Sequence, residues 1–247
     1  YMMAKTAQLL ADVEQAYDSF KFNGVYRAVY DFVNDLSSVY MDVTKDRLYS
    51  ESPDSPRRRA VQTVLFNILE VLVRVLSPIL SFTADEVWEC YPEAMRNREG
   101  RVCNVQLAGW PHRSDFVPAL PGKQAEEKVL AAFVGALEVR DVVTKALEDA
   151  RGAKVINKSQ EATVSVTAPQ ATLDALSSFD ASVFEELFIV SGVTFAAGDE
   201  LACEVKPAEG DKCPRCWNYR ELGGNANHAD VCQRCGDALD AIGFTEE

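Results

Sequence analysis

Histidine is nearly absent from this chain of 247 residues, with only two in the whole sequence, His112 and His228. A histidine-centred set for proton transfer or nucleophile activation has almost nothing to draw on. Glycine-rich phosphate loops are missing too. The sequence contains neither a G-x-x-x-x-G-K-[ST] loop nor a G-x-G-x-x-G turn, so it encodes neither of these nucleotide-cradling signatures. No apolar run reaches the length of a membrane span, and no secretory signal opens the chain. Basic residues are in deficit, 25 Lys+Arg against 38 Asp+Glu, for a net charge of −13. That balance argues against a general nucleic-acid binder with an evenly basic surface. Internal repeats and low-complexity segments are also lacking. The many carboxylates fall on helix faces, where solvation is the default role. On its residues the chain reads as a non-catalytic binding protein, with no catalytic residue to name.

Against these absences stand seven cysteines. Four form two C-x-x-C knuckles, Cys213/Cys216 and Cys232/Cys235, with fifteen residues between them. Two intervening residues let one tight turn aim both sulfurs at a single point, and the second knuckle completes a tetrahedron. Zn²⁺ suits four thiolates because it accepts sulfur and imposes no geometry of its own. Two disulfides would need an oxidising compartment, to which nothing else points. A redox pair would leave one knuckle idle. Four protein sulfurs leave no open position for water, so the expected metal is one structural Zn²⁺. Gly236, directly after the last cysteine, is expected to supply backbone freedom for the turn. His228 lies outside both knuckles and reads as a loop residue. Cys90, Cys103 and Cys203 have no knuckle partner and read as small buried hydrophobes. Together these features favour a reducing, cytoplasmic setting.

The hydrophobic fraction of 47% over this length supports two packed domains and a metal-held appendage. Residues 1–20 place Met2, Leu9, Val13, Ala16, Tyr17 and Phe20 on one helical face. Phe22-Asn23-Gly24 reads as a break. A second helix carries Val25, Val29, Phe32, Val33, Leu36, Tyr40 and Val43 on one stripe. Arg57 to Leu76 is apolar almost all round, with a narrow polar stripe of Thr63, Asn67, Glu70 and Arg74, and Pro78 ends it. Thr83-Ala-Asp-Glu86 is a capping box opening a further helix. Residues 1–92 are thus expected to form an antiparallel all-α bundle. Residues 93–122, with Pro111, Pro118, Pro121 and Gly122, read as a linker packed on a surface. From 123 to 206 the order is a long helix, a strand around Val164 and Val166, a short helix after Pro169, and two more strands. That is a small α+β domain. Residues 207–247 form the four-cysteine module, at about forty residues too small to hold a core unaided. The chain opens Tyr-Met-Met inside an amphipathic pattern and reads as a piece of a longer protein.

Charge is uneven along the chain. Residues 45–74 carry six Lys/Arg against four Asp/Glu, and residues 206–235 five against four. Lys45, Arg47 and Arg57-Arg58-Arg59 flank one loop between helices. Arg215, Trp217 and Arg220 sit on or beside the first knuckle, and Lys154 and Lys158 follow the long helix. Arginine binds phosphate bidentately, and an aromatic face can stack an unpaired base. These ten residues are the candidate RNA contacts. The bland readings stay open beside them: solvated helix faces for the basic residues, and a packing role over the metal module for Trp217.

Several blocks resemble one family. Leu36-Ser-Ser-Val-Tyr-Met-Asp-Val-Thr-Lys-Asp-Arg-Leu-Tyr49 and Arg58-Arg-Ala-Val-Gln-Thr-Val-Leu65 resemble the anticodon-domain signatures of bacterial isoleucyl-tRNA synthetases. Pro78-Ile-Leu-Ser-Phe-Thr-Ala-Asp-Glu-Val-Trp88 is similar to a block shared with the valine and leucine enzymes. Ala146-Leu-Glu-Asp-Ala-Arg151, Ile156-Asn-Lys-Ser-Gln-Glu-Ala162 and the Lys-Cys-x-x-Cys-Trp start of the first knuckle resemble the family's C-terminal region and terminal zinc finger. Asn157 and Gln160 replace the glycine and leucine usual in one of these blocks. The ATP-binding signatures and the editing domain of the family are absent. The resemblance implies the tRNA-binding part of an isoleucine–tRNA ligase, holding the anticodon stem–loop, monomeric, with catalysis in N-terminal domains outside this sequence. From another class, a zinc-stabilised protein-interaction module without RNA binding would share the same composition.

Overall fold

The computed structural model describes residues 1–96, 100–116 and 123–245. In chain order its helices are α1 (Met2–Asp18), α2 (Phe22–Asp35), α3 (Met41–Val43), α4 (Lys45–Ser50), α5 (Pro56–Leu76), α6 (Ser81–Glu89), α7 (Glu93–Arg96), α8 (Arg113–Phe116), α9 (Lys123–Gly152), α10 (Gln170–Leu176), α11 (Ala181–Phe188) and α12 (Gln233–Ala241). The strands are β1 (Ala162–Ala168), β2 (Gly192–Ala197), β3 (Ala202–Pro207), β4 (Asp211–Lys212) and β5 (Tyr219–Arg220). The chain is helix-rich, with a small sheet and a cluster of cysteines. Among the described residues no helix is long and apolar enough to cross a membrane.

Two compact units divide the chain: residues Tyr1–Tyr40 with Gln62–Glu127, and Met41–Val61 with Lys128–Glu247. The division cuts across the boundaries expected from sequence, because residues 41–61 join the C-terminal part. Val43 packs on its hydrophobic core, and Arg47 and Arg57 pair with Glu186. Those partners lie more than a hundred positions away, where no local periodicity can reveal them.

In the first unit, α1 and α2 meet closely. Leu9, Val13, Ala16, Val25, Phe32, Ile68, Val71 and Val75 share one buried cluster. A Cβ at Gly24 would stand 3.3 Å from that of Ala16, so the glycine is where the two helices touch. It lies inside the first turn of α2; the break falls earlier, at residues 19–21. Phe20 leaves the helical face expected of it. Its backbone turns left-handed (φ 56°) just past α1, which leaves the ring exposed. The capping box is also displaced. α6 begins at Ser81, because the chain turns without a break from Leu76 into it, and Thr83 sits inside the helix. Asp85, expected in the box, accepts instead from the Val105 N–H at 3.3 Å.

Val105 and the Trp88 indole show that the described part of 93–122 builds core as well as covering it. Val105 is buried, and Trp88 Nε1 donates to the Val102 carbonyl at 3.0 Å. Pro118, Pro121 and Gly122 lie outside the described residues. The polar stripe of α5 turns inward here. Glu70 is buried and accepts from Arg74 at 3.0 Å and pairs with Arg101 at 3.3 Å. The Arg101 guanidinium stands 3.7 Å from the Trp88 ring centroid and 4.2 Å from that of Tyr91. Burial and the nearby Glu70 carboxylate push the Tyr91 phenol well above its ordinary pKa.

In the second unit β1 is central, with β2 parallel on one side and β3 antiparallel on the other. Alternation along β1 buries Ala162, Val164, Val166 and Ala168 on one face. Against them pack Val139, Val143 and Leu147 of α9 and Phe184, Leu187 and Phe188 of α11. Pro169 precedes α10 as expected. Cys90 and Cys103 are exposed rather than buried. Cys203 is half-buried, which pushes its thiol up to about 11.

The buried carboxylate of Glu70 pairs with two guanidinium groups, and removing it takes that anion from both. Glu70→Ala should destabilise the first unit by about 3–5 kcal/mol. Denaturant unfolding followed by helical circular dichroism measures this, and a loss under about 1 kcal/mol contradicts it.

Candidate metal centre and nucleic-acid interface

Each knuckle is built by a turn. In the first, the Trp217 N–H donates to the Cys213 carbonyl at 2.8 Å and the Cys213 N–H to the Asn218 carbonyl at 3.0 Å. In the second, Cys232 precedes α12, so Cys235 follows in the helix's first turn. The four sulfurs of Cys213, Cys216, Cys232 and Cys235 lie within 4.8 Å of one another. Cys216 Sγ and Cys232 Sγ stand 3.8 Å apart, and all four thiols are free. A tetrahedron with metal–sulfur bonds of about 2.3 Å has sulfur–sulfur edges of about 3.8 Å. A disulfide would need about 2 Å. The donors therefore fit a tetrahedral Zn²⁺.

Around this cluster the module has little apolar matter: Val231 is buried, and Leu222 and Leu239 pack beside it. Polar links do the rest. Asn225 Nδ2 donates to Asp237 at 3.1 Å and to Asp240 at 2.7 Å, and Asn227 Nδ2 donates to Asp240 at 3.0 Å. These amides hold the exposed Asp240 carboxylate below its usual pKa range. Gly236 serves a purpose other than turn freedom. It lies within α12, where a Cβ would come within 2.5 Å of the Asn225 Cβ. His228 is buried outside the four-sulfur cluster and stands 3.4 Å from Asp240. Neither ring nitrogen has a hydrogen bond of good geometry, so the contact is a loose one.

Beside the metal cluster, within the second unit, lies a cleft of about 1280 Å³. Five of the ten residues singled out as RNA contacts line it: Lys45, Arg57, Arg215, Trp217 and Arg220. Arg47, Arg58, Arg59, Lys154 and Lys158 do not. Lys158 nonetheless reaches Trp217, with its Nζ 5.0 Å from the ring centroid, and Lys212 adds a second ammonium at 5.5 Å. Trp217 itself is 51% exposed. Its backbone is left-handed (φ 67°), as is that of Ile189 (φ 58°) across the same cleft. Left-handed backbone is uncommon for bulky side chains and gathers at functional sites. The ring is thus presented rather than used as core.

Most of the candidate arginines are already engaged. Arg47 Nε donates to Glu186 Oε2 at 2.9 Å. Arg57 pairs with Glu186 and with Glu51, the latter at 3.2 Å. Arg58 donates to the Glu51 carbonyl at 3.3 Å, Arg220 to Glu185 at 2.8 Å, and Arg215 to the Ser50 carbonyl. Lys45 is exposed and pairs with Asp42 at 2.8 Å. Arg59 and Lys154 are exposed, Lys154 in a left-handed turn (φ 59°) after α9. Asn157, where the sequence departs from the usual pattern, donates its backbone N–H to Glu161 at 2.8 Å. Its side-chain amide donates to the same oxygen at 3.2 Å. This holds the Glu161 carboxylate below its ordinary range.

Sequence reasoning missed Asp46, Tyr49, Glu186, Lys212 and Arg234. Arg234 grips Asp46 with both arms, one of them at 2.8 Å. Burial opposes the charge on Arg234, but the Asp46 carboxylate outweighs it and keeps the guanidinium firmly protonated. One signal was available. Cys213-Pro-Arg215-Cys216 and Cys232-Gln-Arg234-Cys235 carry arginine at the same position. Tyr49 is 78% exposed at the cleft.

Comparison with known proteins agrees with this geometry. Residues 210–237 match the family described as a zinc finger found in FPG and IleRS. The chain is 41% identical to an isoleucine–tRNA ligase of Geobacillus kaustophilus over 95% of this chain and 26% of that protein. It is 39% identical to that of Geobacillus thermodenitrificans, over 95% of this chain and 26% of the relative. It is 35% identical to that of Kosmotoga olearia, over 100% of this chain and 27% of the relative. The chain thus spans about a quarter of the length of these curated relatives. Residues 1–166 match the family described as the anticodon-binding domain of tRNA ligase, and with most of its length inside that match the chain belongs to the anticodon-binding domains of tRNA ligases.

Proposed function

We propose that this chain holds the anticodon arm of an isoleucine tRNA as part of an isoleucine–tRNA ligase. The observation that carries the reading is the exposed Trp217 ring, presented beside the metal cluster with the Lys158 and Lys212 ammoniums near its face. An unpaired loop base exposes its π-face for stacking, and the two ammoniums stand ready for the phosphates on either side. The similarity to isoleucine–tRNA ligases along 95–100% of the chain supports an isoleucine tRNA as the partner.

In this reading residues 1–92, apart from 41–61, meet the anticodon stem, 93–122 link, 123–206 support the loop-binding cleft, and 207–247 form the zinc finger. Residues 41–61 fold with the second unit and bring Lys45 and Tyr49 to the cleft. Cys213, Cys216, Cys232 and Cys235 hold one Zn²⁺, whose part is to fold the module. Activation of isoleucine with ATP and its transfer to tRNA belong to domains outside this sequence. The working setting is a monomer in the cytoplasm. An acidic chain can serve RNA because a single basic and aromatic face is enough. Salt should weaken the complex through lost counterion release.

Three outcomes test this reading. Metal analysis of replete protein should give one zinc per chain, and chelation should unfold residues 207–247; well under one equivalent contradicts the site. Trp217→Ala, at unchanged zinc content, should weaken binding to the isoleucine anticodon stem–loop by about 1–3 kcal/mol, and Trp217→Phe by less. A band shift that is unchanged in Trp217→Ala overturns the stacking role, and release of zinc by that variant shows the ring to be core. Finally, the chain alone should show no isoleucine-dependent pyrophosphate exchange. Exchange above background would reveal a missed active site.

A further inference from the structure

The two knuckles send their arginines in one direction. Arg215 donates to the carbonyl of Ser50, the last residue of α4, and Arg234 grips Asp46 one turn earlier. Both guanidiniums also lie against the sulfur cluster, Arg234 beside Cys216 and Arg215 beside Cys235. A divalent cation held by four thiolates keeps a net negative charge, which two adjacent guanidiniums offset. The same two groups therefore face the metal cluster on one side and α4 on the other. Lys45 and Tyr49 stand four residues apart, on one face of α4. Both are exposed and both line the cleft that Trp217 also lines.

We propose that Arg234 and Asp46 are positioning residues, a clamp through which the metal cluster sets where Lys45 and Tyr49 stand relative to Trp217, so that discrimination between loop sequences depends on it. The inference rests on the anticodon-arm reading. A bidentate arginine–carboxylate pair fixes orientation as well as distance, and a lysine could not replace it in kind. Neither residue need touch RNA. Without the clamp, α4 still has the Arg215 link to Ser50 and the Arg47 pair to Glu186.

The test uses the whole chain in three forms: wild type, Asp46→Asn, and the reciprocal exchange Asp46→Arg with Arg234→Asp. Zinc content, amide hydrogen exchange of residues 45–50, and binding to a matched anticodon stem–loop and to one with a single changed loop base are measured on each. Asp46→Asn should keep its zinc, exchange faster across 45–50, and lose about tenfold of the matched-over-changed preference. Affinity for the changed arm should stay within about threefold, since phosphate contacts position without reading. Partial recovery of both protection and preference in the reciprocal exchange supports the clamp. Unchanged exchange, unchanged preference, or loss of zinc in Asp46→Asn overturns it. A wild-type chain that binds neither arm overturns instead the anticodon-arm reading beneath it.

Discussion

Four thiol sulfurs converging on one point are the constraint on which the C-terminal module of this chain, residues 207–247, depends. Val231, Leu222 and Leu239 are too few to hold forty residues together. A metal held by these four sulfurs would stand in for the missing core. It fixes the two turns, and the turns fix what they carry. One presents Trp217 from a left-handed backbone position, with its ring 51% exposed. Both aim an arginine at α4. The Lys-Asp-Arg-Leu-Tyr block acquires a physical division of labour from this. Asp46 and Arg47 point inward to Arg234 and Glu186, while Lys45 and Tyr49 remain outside.

Charge is used sparingly and locally. The net charge of −13 conceals a cleft in which nearly every arginine already has a carboxylate. Glu186 alone serves Arg47 and Arg57, and Glu185 serves Arg220. Such pairs hold guanidiniums in place at the expense of free positive charge, so the recognition proposed there would lean on shape and stacking rather than on a strong field. Lys158 and Lys212 differ in placing their ammoniums over the Trp217 ring. In the first unit the same device is buried outright, with Glu70 between Arg74 and Arg101 and the latter over Trp88.

What could be read from the sequence is what local spacing encodes. Two C-x-x-C knuckles specify ligand geometry within four residues each, and the sulfurs meet as the spacing requires. Phe20 apart, the periodicity of 1–20 and the alternation of Val164 and Val166 name their buried faces correctly. What escaped depends on distant partners. Nothing near Asp46 announces Arg234, 188 positions away, and nothing near Glu70 announces Arg101. Gly236 and Gly24 were legible as glycines but not as points of close approach to Asn225 and Ala16. Phe20 followed the helical period of its neighbours, yet one left-handed residue past the helix end placed it in solvent. The capping box at Thr83 was a valid local signal overruled by a turn that continues from α5.

Trp217 offers a direct view of the central claim, that a metal-anchored face stacks an unpaired base. Of the three tryptophans, Trp88 is buried and Trp110 packs into the first unit's core, while Trp217 is 51% exposed. Titrating the zinc-loaded chain with the isoleucine anticodon stem–loop should quench the indole emission saturably, and Trp217→Phe should abolish that quench while zinc content and binding persist. Saturable binding with no change in Trp217 emission would contradict the account.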